Sequence, residues 1–303
     1  FPLTLVCPGA SAPPNRGLMS ANTTLPAALY VVATPIGNLD DITRRAVSVL
    51  SSVDVCCAED TRHSRRLLDH LGASPRLISV HEHNERDRGH FIVSLLEQGQ
   101  SVALISDAGT PLISDPGYHL VQAVADAGFP VHPVPGVSAV ITALSVAGLP
   151  TDHWRFEGFL PAKTAARQKA LQACAESPHT LVFYESSHRI LASLADMVSV
   201  YGGERRVVVA RELTKTFETV LRGTLDEVLG WVEADEHQRK GEFVVMVAGE
   251  ARTDSSVGLD PKALADVLAP LMPPKQAAAA MVSLIGGRKK EWYELITGLN
   301  RAD

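Results

Sequence analysis

The sequence predicts two successive α/β domains followed by a small helical domain. From residue 29 short apolar runs alternate with helical patterns, the mark of βαβ units around a largely parallel sheet. The alternation breaks at Leu149 to Pro161, where Gly148, Pro150, Gly158 and Pro161 punctuate the chain, and then resumes. Beyond a polar stretch from Glu250 to Gly258 only helical patterns remain. The expected divisions are residues 1–27 as a disordered lead, 28–150 and 151–250 as α/β domains, and 259–303 as the helical domain.

In the first domain the expected strands are Leu29 to Ala33, Val53 to Ala58, Leu77 to Val80, Val102 to Ile105 and Val131 to Val134. Each leads into a helical segment, at about Ile42 to Leu50, Arg62 to Leu71, Arg88 to Gln98, Gly117 to Ala127 and Ser138 to Ala147. Asp40 or Asp41 is expected to cap the first helix and Asp87 the third, because a side-chain oxygen there can accept first-turn N–H groups. In the second domain, strands are expected at Thr180 to Tyr184, Arg206 to Ala210 and Glu242 to Ala248. Helices are expected there at about Thr164 to Cys174, His188 to Val200 and Leu225 to Glu233. Three tail helices, Pro261 to Leu271, Lys275 to Ile285 and Lys290 to Leu299, are separated by Pro273-Pro274 and Gly286-Gly287.

With 303 residues, 46% of them hydrophobic, the chain can fill two cores. Its four cysteines, Cys7, Cys56, Cys57 and Cys174, form no CxxC pair, so a reducing cytosol is expected rather than a disulfide framework or structural zinc. No apolar run approaches the roughly 20 residues that span a bilayer. The first residues lack the basic flank of a signal peptide and read as a lead or an upstream translation, with Met19 as a candidate true start. A formal charge of -6 argues against coating nucleic acid by bulk electrostatics and leaves room for a local basic face.

The most informative segment is Ser101 to Gly117, an apolar strand that opens into small residues, carboxylates and prolines. Open α/β sheets bind ligands beyond the carboxyl ends of their strands, so the reactive edge should begin at Asp107. Ala108 and Gly109 leave backbone groups reachable, and Pro111 and Pro116 stiffen the loop. At the same edge the first strand is followed by Thr34-Pro35-Ile36-Gly37-Asn38 and the fifth by Val134-Pro135-Gly136-Val137-Ser138-Ala139, also stiff turns of small residues. Together these loops suit an adenosine-bearing ligand held by main-chain groups; GxGxxG and GxxxxGK[ST] are absent, against a dinucleotide fingerprint or a P-loop. Glu59 to Arg66 crowds both signs of charge after the second strand, as a solvated helix start or as phosphate capture by Arg62, Arg65 or Arg66 with Glu59 or Asp60 as proton acceptor. His81 to Arg86 could hold metal, but His81 and His83 lack a clear third ligand, so a polar substrate wall is expected and no metal. Phe183 to Arg189 and Ala210 to Lys215 fall at strand ends in the second domain and point to a shared cleft.

These motifs, in this order over about residues 29 to 250, resemble the tetrapyrrole-methylase superfamily, within it the branch that methylates small-subunit ribosomal RNA. The tail from Leu259 is similar to a small helix-turn-helix-like domain of that branch. The resemblance implies S-adenosylmethionine bound in a cleft between the two α/β domains, and methylation of a cytidine ribose 2′-hydroxyl in the decoding region of 16S rRNA. It further implies a cytoplasmic homodimer acting on the small ribosomal subunit, with no membrane involved. By motif position the cofactor would meet Pro35, Ile36, Asp107, Ala108, Gly109, Thr110, Val137, Ser138 and Ala139. The second domain would add Tyr184, Ala210 and the Glu242 to Phe243 backbone.

A ribose hydroxyl is a weak nucleophile, so a proton acceptor should assist it. Glu59, His81 and Glu82 are the candidates, with Asp60 beside them, and Glu59 is the first choice. Arg62, Arg65, Lys163 and Lys215 are the expected ribose and phosphate contacts, which position RNA without reading bases. Arg288-Lys289-Lys290 beside Trp292 and Tyr293 reads equally as an RNA-binding strip or as a solvated helix start with core aromatics. Two other functions remain open at this point: methylation of a corrin-type macrocycle, and a non-catalytic RNA-binding assembly factor.

Overall fold

Strands β1 (Leu29–Val32), β2 (Val55–Ala58), β3 (Arg76–Ser79), β4 (Val102–Leu104) and β5 (Val131–Val134) form an all-parallel sheet in the order β3-β2-β4-β1-β5. The computed structural model describes residues 24–81, 84–250 and 260–299. Side chains alternate between two cores, as the two-residue period of a strand requires. Tyr30, Val32, Cys56, Ala58, Ala103 and Ile105 face one; Leu29, Val55, Cys57, Val102 and Leu104 face the other. Helices α1 (Arg44–Leu50) and α2 (Thr61–His70) cover the first face, and α3 (Glu85–Glu97) and α4 (Tyr118–Asp126) the second. Leu25 is already buried in the first core, inside the expected lead; Met19 and Cys7 lie outside the described residues.

The expected caps are corrected. Asp40 and Asp41 sit in a short 3-10 turn capped by Asn38, while Thr43 caps α1 by accepting from the Ala46 N–H at 3.1 Å. Asp87 lies inside the first turn of α3, whose N-cap position is Asn84. Asp60 takes the capping role on α2, accepting from the N–H groups of Arg62 and His63.

The second sheet is mixed rather than parallel: β6 (Trp154–Phe159), β7 (Thr180–Ser186), β8 (Arg206–Arg211), β9 (Thr219–Thr224) and β10 (Glu242–Val247) run in the order β6-β7-β10-β8-β9. Neither β6 nor β9 is expected from the sequence, and β6 lies within the stretch expected as a break. β10 is antiparallel to both β7 and β8. The carboxyl ends of β7 and β8 therefore flank the start of β10, which places Glu185, Arg211 and Glu242 at one edge. Helices α6 (Thr164–Gln172), α7 (Ile190–Tyr201) and α8 (Leu225–Ala234) cover one face through Leu171, Ile190, Leu194, Met197, Val228 and Val232.

The other face is covered by α5 (Ala139–Ala147), the last helix of the first half. Its Val140, Ala143, Leu144 and Ala147 pack on Val182, Val208, Val244 and Met246. Burial of each large apolar side chain in such a seam contributes about 1.5–3 kcal/mol, which locks the two sheets together. Both sheets belong to one compact unit that ends at Gly249.

The C-terminal unit contains α9 (Pro261–Leu268), α10 (Pro274–Ile285) and α11 (Lys289–Leu299) around Ala265, Ala277, Ala278, Met281 and Ile296. Trp292 packs against this core and donates its Nε1–H to Gly286 O at 2.7 Å, whereas Tyr293 is exposed. Among the described residues no helix is long and apolar enough to cross a membrane.

Candidate active site

The loops at the carboxyl edge of the parallel sheet are stitched to one another. Thr34 N–H donates to Gly109 O at 2.9 Å and Gly109 N–H to Thr34 O at 3.0 Å, joining the turns after β1 and β4. Gly109 has φ +81°, in the left-handed region where a side chain is disfavoured, and an added Cβ would sit 3.3 Å from Ile36. Thr110 Oγ1–H donates to Val137 O at 2.9 Å and brings in the turn after β5.

The second sheet closes the opposite side. Strand parity decides which residues point inward: Tyr184, Ala210 and Val244 share the face covered by α5, while Phe183, Val209 and Phe243 point into the other core. A cavity of about 460 Å³ results, lined by Ile36, Asp107, Ala108, Gly109, Thr110, Ser138 and Ala139 from the first half and by Tyr184, Ala210, Lys215, Glu242 and Phe243 from the second. Pro35 and Val137 stand beside the wall rather than in it, Val137 acting through its carbonyl.

The other expected residues lie off this wall. Asp60 N–H donates to Asp107 Oδ1 at 3.3 Å, so the Glu59-Asp60 corner is tied to the cavity loop. Arg62 is 93% exposed, 3.5 Å from Asp60, and Arg65 and Lys163 are exposed too. His81 is held at the start of α3, where its backbone N–H donates to Asn84 Oδ1 at 2.9 Å. Glu82 and His83 lie outside the described residues. Among those described, no three His, Cys, Asp or Glu side chains gather as a metal site needs.

Lys215 does line the cavity, but its ammonium is already engaged, 2.9 Å from Glu212 and 2.8 Å from Glu242. Burial pulls the Lys215 pKa down and the two carboxylates more than offset it, leaving it above the ordinary lysine value. Cys56, which faces a core, is pushed up to about 12 by burial and is no nucleophile.

One functional candidate is absent from the sequence expectations. Asp115 lines the cavity, and its pKa is raised to about 6, first by burial and then by the charges of Glu59 and Asp107. Tyr184 opposite is pushed up to about 12 by burial and by the charge of Asp115. The residues that deliver Asp115 are strained: Leu112 and Ser114 have φ +73° and +66° without being glycine, a cost that clusters at functional loops. The only sequence signal was Ser114-Asp115-Pro116-Gly117 itself, a carboxylate in a stiff loop one turn downstream of Asp107.

A parallel sheet is joined through α5 to a mixed one, with a cavity at their shared edge, and this two-sheet architecture is matched by a known family. Residues 28–229 match the family described as Tetrapyrrole (Corrin/Porphyrin) Methylases. Among solved structures, the methyltransferase CobJ covers 74% of this chain with 95% of its own length at TM-score 0.55 and 19% identity. A uroporphyrin-III C-methyl transferase from Thermus thermophilus, complexed with S-adenyl homocysteine, covers 74% of this chain with 97% of its own at TM-score 0.51 and 18% identity. Likeness at that level shows the fold. The protein called Ribosomal RNA small subunit methyltransferase I in Pseudomonas aeruginosa is 54% identical over 278 residues, 91% of this chain and 97% of that one. Its namesake in Escherichia coli O157:H7 is 50% identical over 266 residues, 88% and 93% of the two chains. The chain belongs to the tetrapyrrole methylase family, among the Ribosomal RNA small subunit methyltransferase I proteins.

Proposed function

We propose that this S-adenosylmethionine-dependent methyltransferase methylates the ribose 2′-hydroxyl of a cytidine in the decoding region of 16S rRNA, within the small ribosomal subunit, as a cytoplasmic homodimer. The observation that carries the reading is the convergence of three stiff turns and the inner face of a second sheet on one cavity. Its size falls within the range of small-molecule sites, roughly 300–1,000 Å³. The wall combines apolar surface from Ile36, Phe159 and Tyr184 with the carboxylates of Asp107 and Asp115. That combination fits a cationic nucleoside. When bound, the sulfonium group supplies an electrophilic methyl carbon.

The protein's own contribution is alignment and proton handling. Asp107, Ala108, Gly109 and Thr110, with Pro35, Ile36, Val137, Ser138 and Ala139, hold the donor from the first half. Tyr184, Ala210, Glu242 and Phe243 hold it from the second. Fixing donor and hydroxyl in line is itself worth several kcal/mol of barrier. Glu59 is the first choice to take the hydroxyl proton as the new C–O bond forms, with His81 as the second; Glu82, the third candidate, lies outside the described residues. Arg62, Arg65 and Lys163 face solvent where a phosphate backbone would run, and Lys215 holds the wall.

The test is transfer of tritium from labelled cofactor to small ribosomal subunits that lack the modification. Label in 16S rRNA, recovered as 2′-O-methylcytidine after nuclease digestion, is the expected result. Unlabelled subunits together with a methylated tetrapyrrole would overturn the RNA assignment, and absence of saturable cofactor binding would favour a non-catalytic assembly factor.

A further inference from the structure

A second hollow, of about 530 Å³, opens beside the first beyond the ends of β8 and β10, and the two share Gly241. Arg211 lines it and is only 8% exposed. Its Nε–H donates to Lys240 O at 2.6 Å and its Nη1–H to Phe217 O at 3.0 Å, and among the described residues no carboxylate forms an ion pair with it. The carboxylates nearby are engaged elsewhere. Glu212 accepts from Lys215 Nζ and the Glu242 N–H, Glu218 from the Thr214 N–H, and Asp235 from the His237 N–H and Gln238 Nε2–H. A guanidinium carries five N–H donors in a planar fork, so two carbonyls leave donors to spare. The charge of Arg211 helps hold the pKa values of Glu212 and Asp235 down, but neither carboxylate forms a direct ion pair with its guanidinium among the described residues, and the fork geometry matches phosphate oxygens.

Phe217, on the same rim, is 71% exposed on a braced loop. Its carbonyl accepts from Arg211 and from Thr219 Oγ1–H, and the next residue, Glu218, donates its N–H to Lys215 O. An exposed aromatic ring beside a guanidinium offers a face on which an unpaired base can stack. Lys240 adds an exposed ammonium that forms no ion pair among the described residues.

We propose that this hollow seats a nucleotide flanking the methylated one, its phosphodiester on Arg211 and Lys240 and its base on Phe217. The inference rests on the RNA reading above and goes beyond it by assigning a subsite for single-stranded RNA to the β8–β9 connection.

The full-length protein and small subunits lacking the modification test it. Wild-type methylation of those subunits is measured first; its absence would count against the RNA reading itself. Given that activity, Phe217→Ala should weaken subunit binding roughly 5- to 100-fold. Phe217→Trp should restore it, and Lys240→Gln should lower the slope of log affinity against log salt by about 0.7. Cofactor affinity should not change in any of the three. A photo-crosslinking p-benzoylphenylalanine placed at position 217 should attach to 16S rRNA. Wild-type affinity and salt slope in the variants, or a crosslink to ribosomal protein alone, would overturn the subsite while leaving the methyltransferase reading intact.

Discussion

Asp107 accepts the backbone N–H of Asp60 through Oδ1 at 3.3 Å, which ties the cavity loop after β4 to the N-cap of α2. The bond ties the Glu59-Asp60 corner to a cavity whose own wall already holds the carboxylates of Asp107, Asp115, Glu185 and Glu242. Burial first, and then the charges of Glu59 and Asp107, disfavour the Asp115 carboxylate when no cation is present. An acidic pocket that resists its own ionisation is prepared for a positively charged guest.

Asp107→Ala tests that relationship. The Asp60 N–H it leaves behind is near solvent, so the folding cost should stay near 1 kcal/mol. The cavity loses a carboxylate aimed at the cationic donor, and cofactor affinity should fall about tenfold, which corresponds to about 1.4 kcal/mol. Calorimetric titration alongside a thermal melt separates the two effects. Unchanged affinity in a folded variant would remove Asp107 from the site.

The raised pKa of Asp115 sets a pH dependence. Because the folded protein holds this proton more tightly than the unfolded chain, stability without ligand should decline as pH rises from about 4 to about 6 and level off above that. The group is partly exposed, so the loss should be about 1 kcal/mol after screening. Cofactor binding has the opposite sign: a cation favours the carboxylate, so affinity should climb through pH 6. Asp115→Asn should flatten both curves, measured by denaturant unfolding and by titration across pH 4.5 to 8; a variant that keeps the wild-type slopes would assign the titration to another group.

The sequence made the central strands legible because they are buried on both faces. Val55 to Ala58 and Val102 to Leu104 are buried without exception, and so read as unbroken apolar runs. The two missed strands are the edges of the second sheet. Trp154–Phe159 and Thr219–Thr224 pair on one side only, contain no buried residue, and carry Arg, Glu or Gly among their apolar positions; β6 also shifts register between Phe156 and Gly158. The site divides the same way. Asp107 to Thr110, Tyr184 and Ala210 follow directly from central strand ends, whereas Asp115 depends on a left-handed backbone at Leu112 and Ser114 that no side-chain pattern announces.

The buried Arg167–Asp196 pair joins α6 to α7 at 2.6 Å, and Arg167 also donates Nη1–H to Ala162 O at 3.1 Å. Arg167→Ala would leave Asp196 with only Gln168 Nε2–H, at 2.8 Å. Removing one partner of such a pair typically costs about 3–5 kcal/mol. Guanidinium unfolding should show that loss. Neither residue lines the cavity, so cofactor affinity of the folded fraction should stay at the wild-type value.

Gly37 offers the sharpest test of how the two halves meet. Its φ is not in the left-handed region, so an added methyl group is limited only by space, and that Cβ would stand 2.4 Å from Lys215 Cγ. Lys215 cannot yield easily, because its ammonium is pinned by Glu212 and Glu242, and Glu212 also receives the Glu242 N–H at 3.0 Å. Burial raises the Glu212 pKa, and the bonds from Lys215 and Glu242 overcome this and hold it below the ordinary value, so losing Lys215 would strand a carboxylate in the cavity wall. Gly37→Ala should therefore destabilise the protein by about 1–3 kcal/mol and weaken cofactor binding. Lys215→Ala removes the closest obstruction and leaves Thr214 Oγ1 at 3.1 Å from the added Cβ, so on that background the same glycine substitution should cost about 1 kcal/mol or less. A double-mutant cycle with a coupling of at least about 1 kcal/mol is the expected outcome. Simple additivity would mean that the turn after β1 and the loop after β8 do not bear on each other as the structure has them.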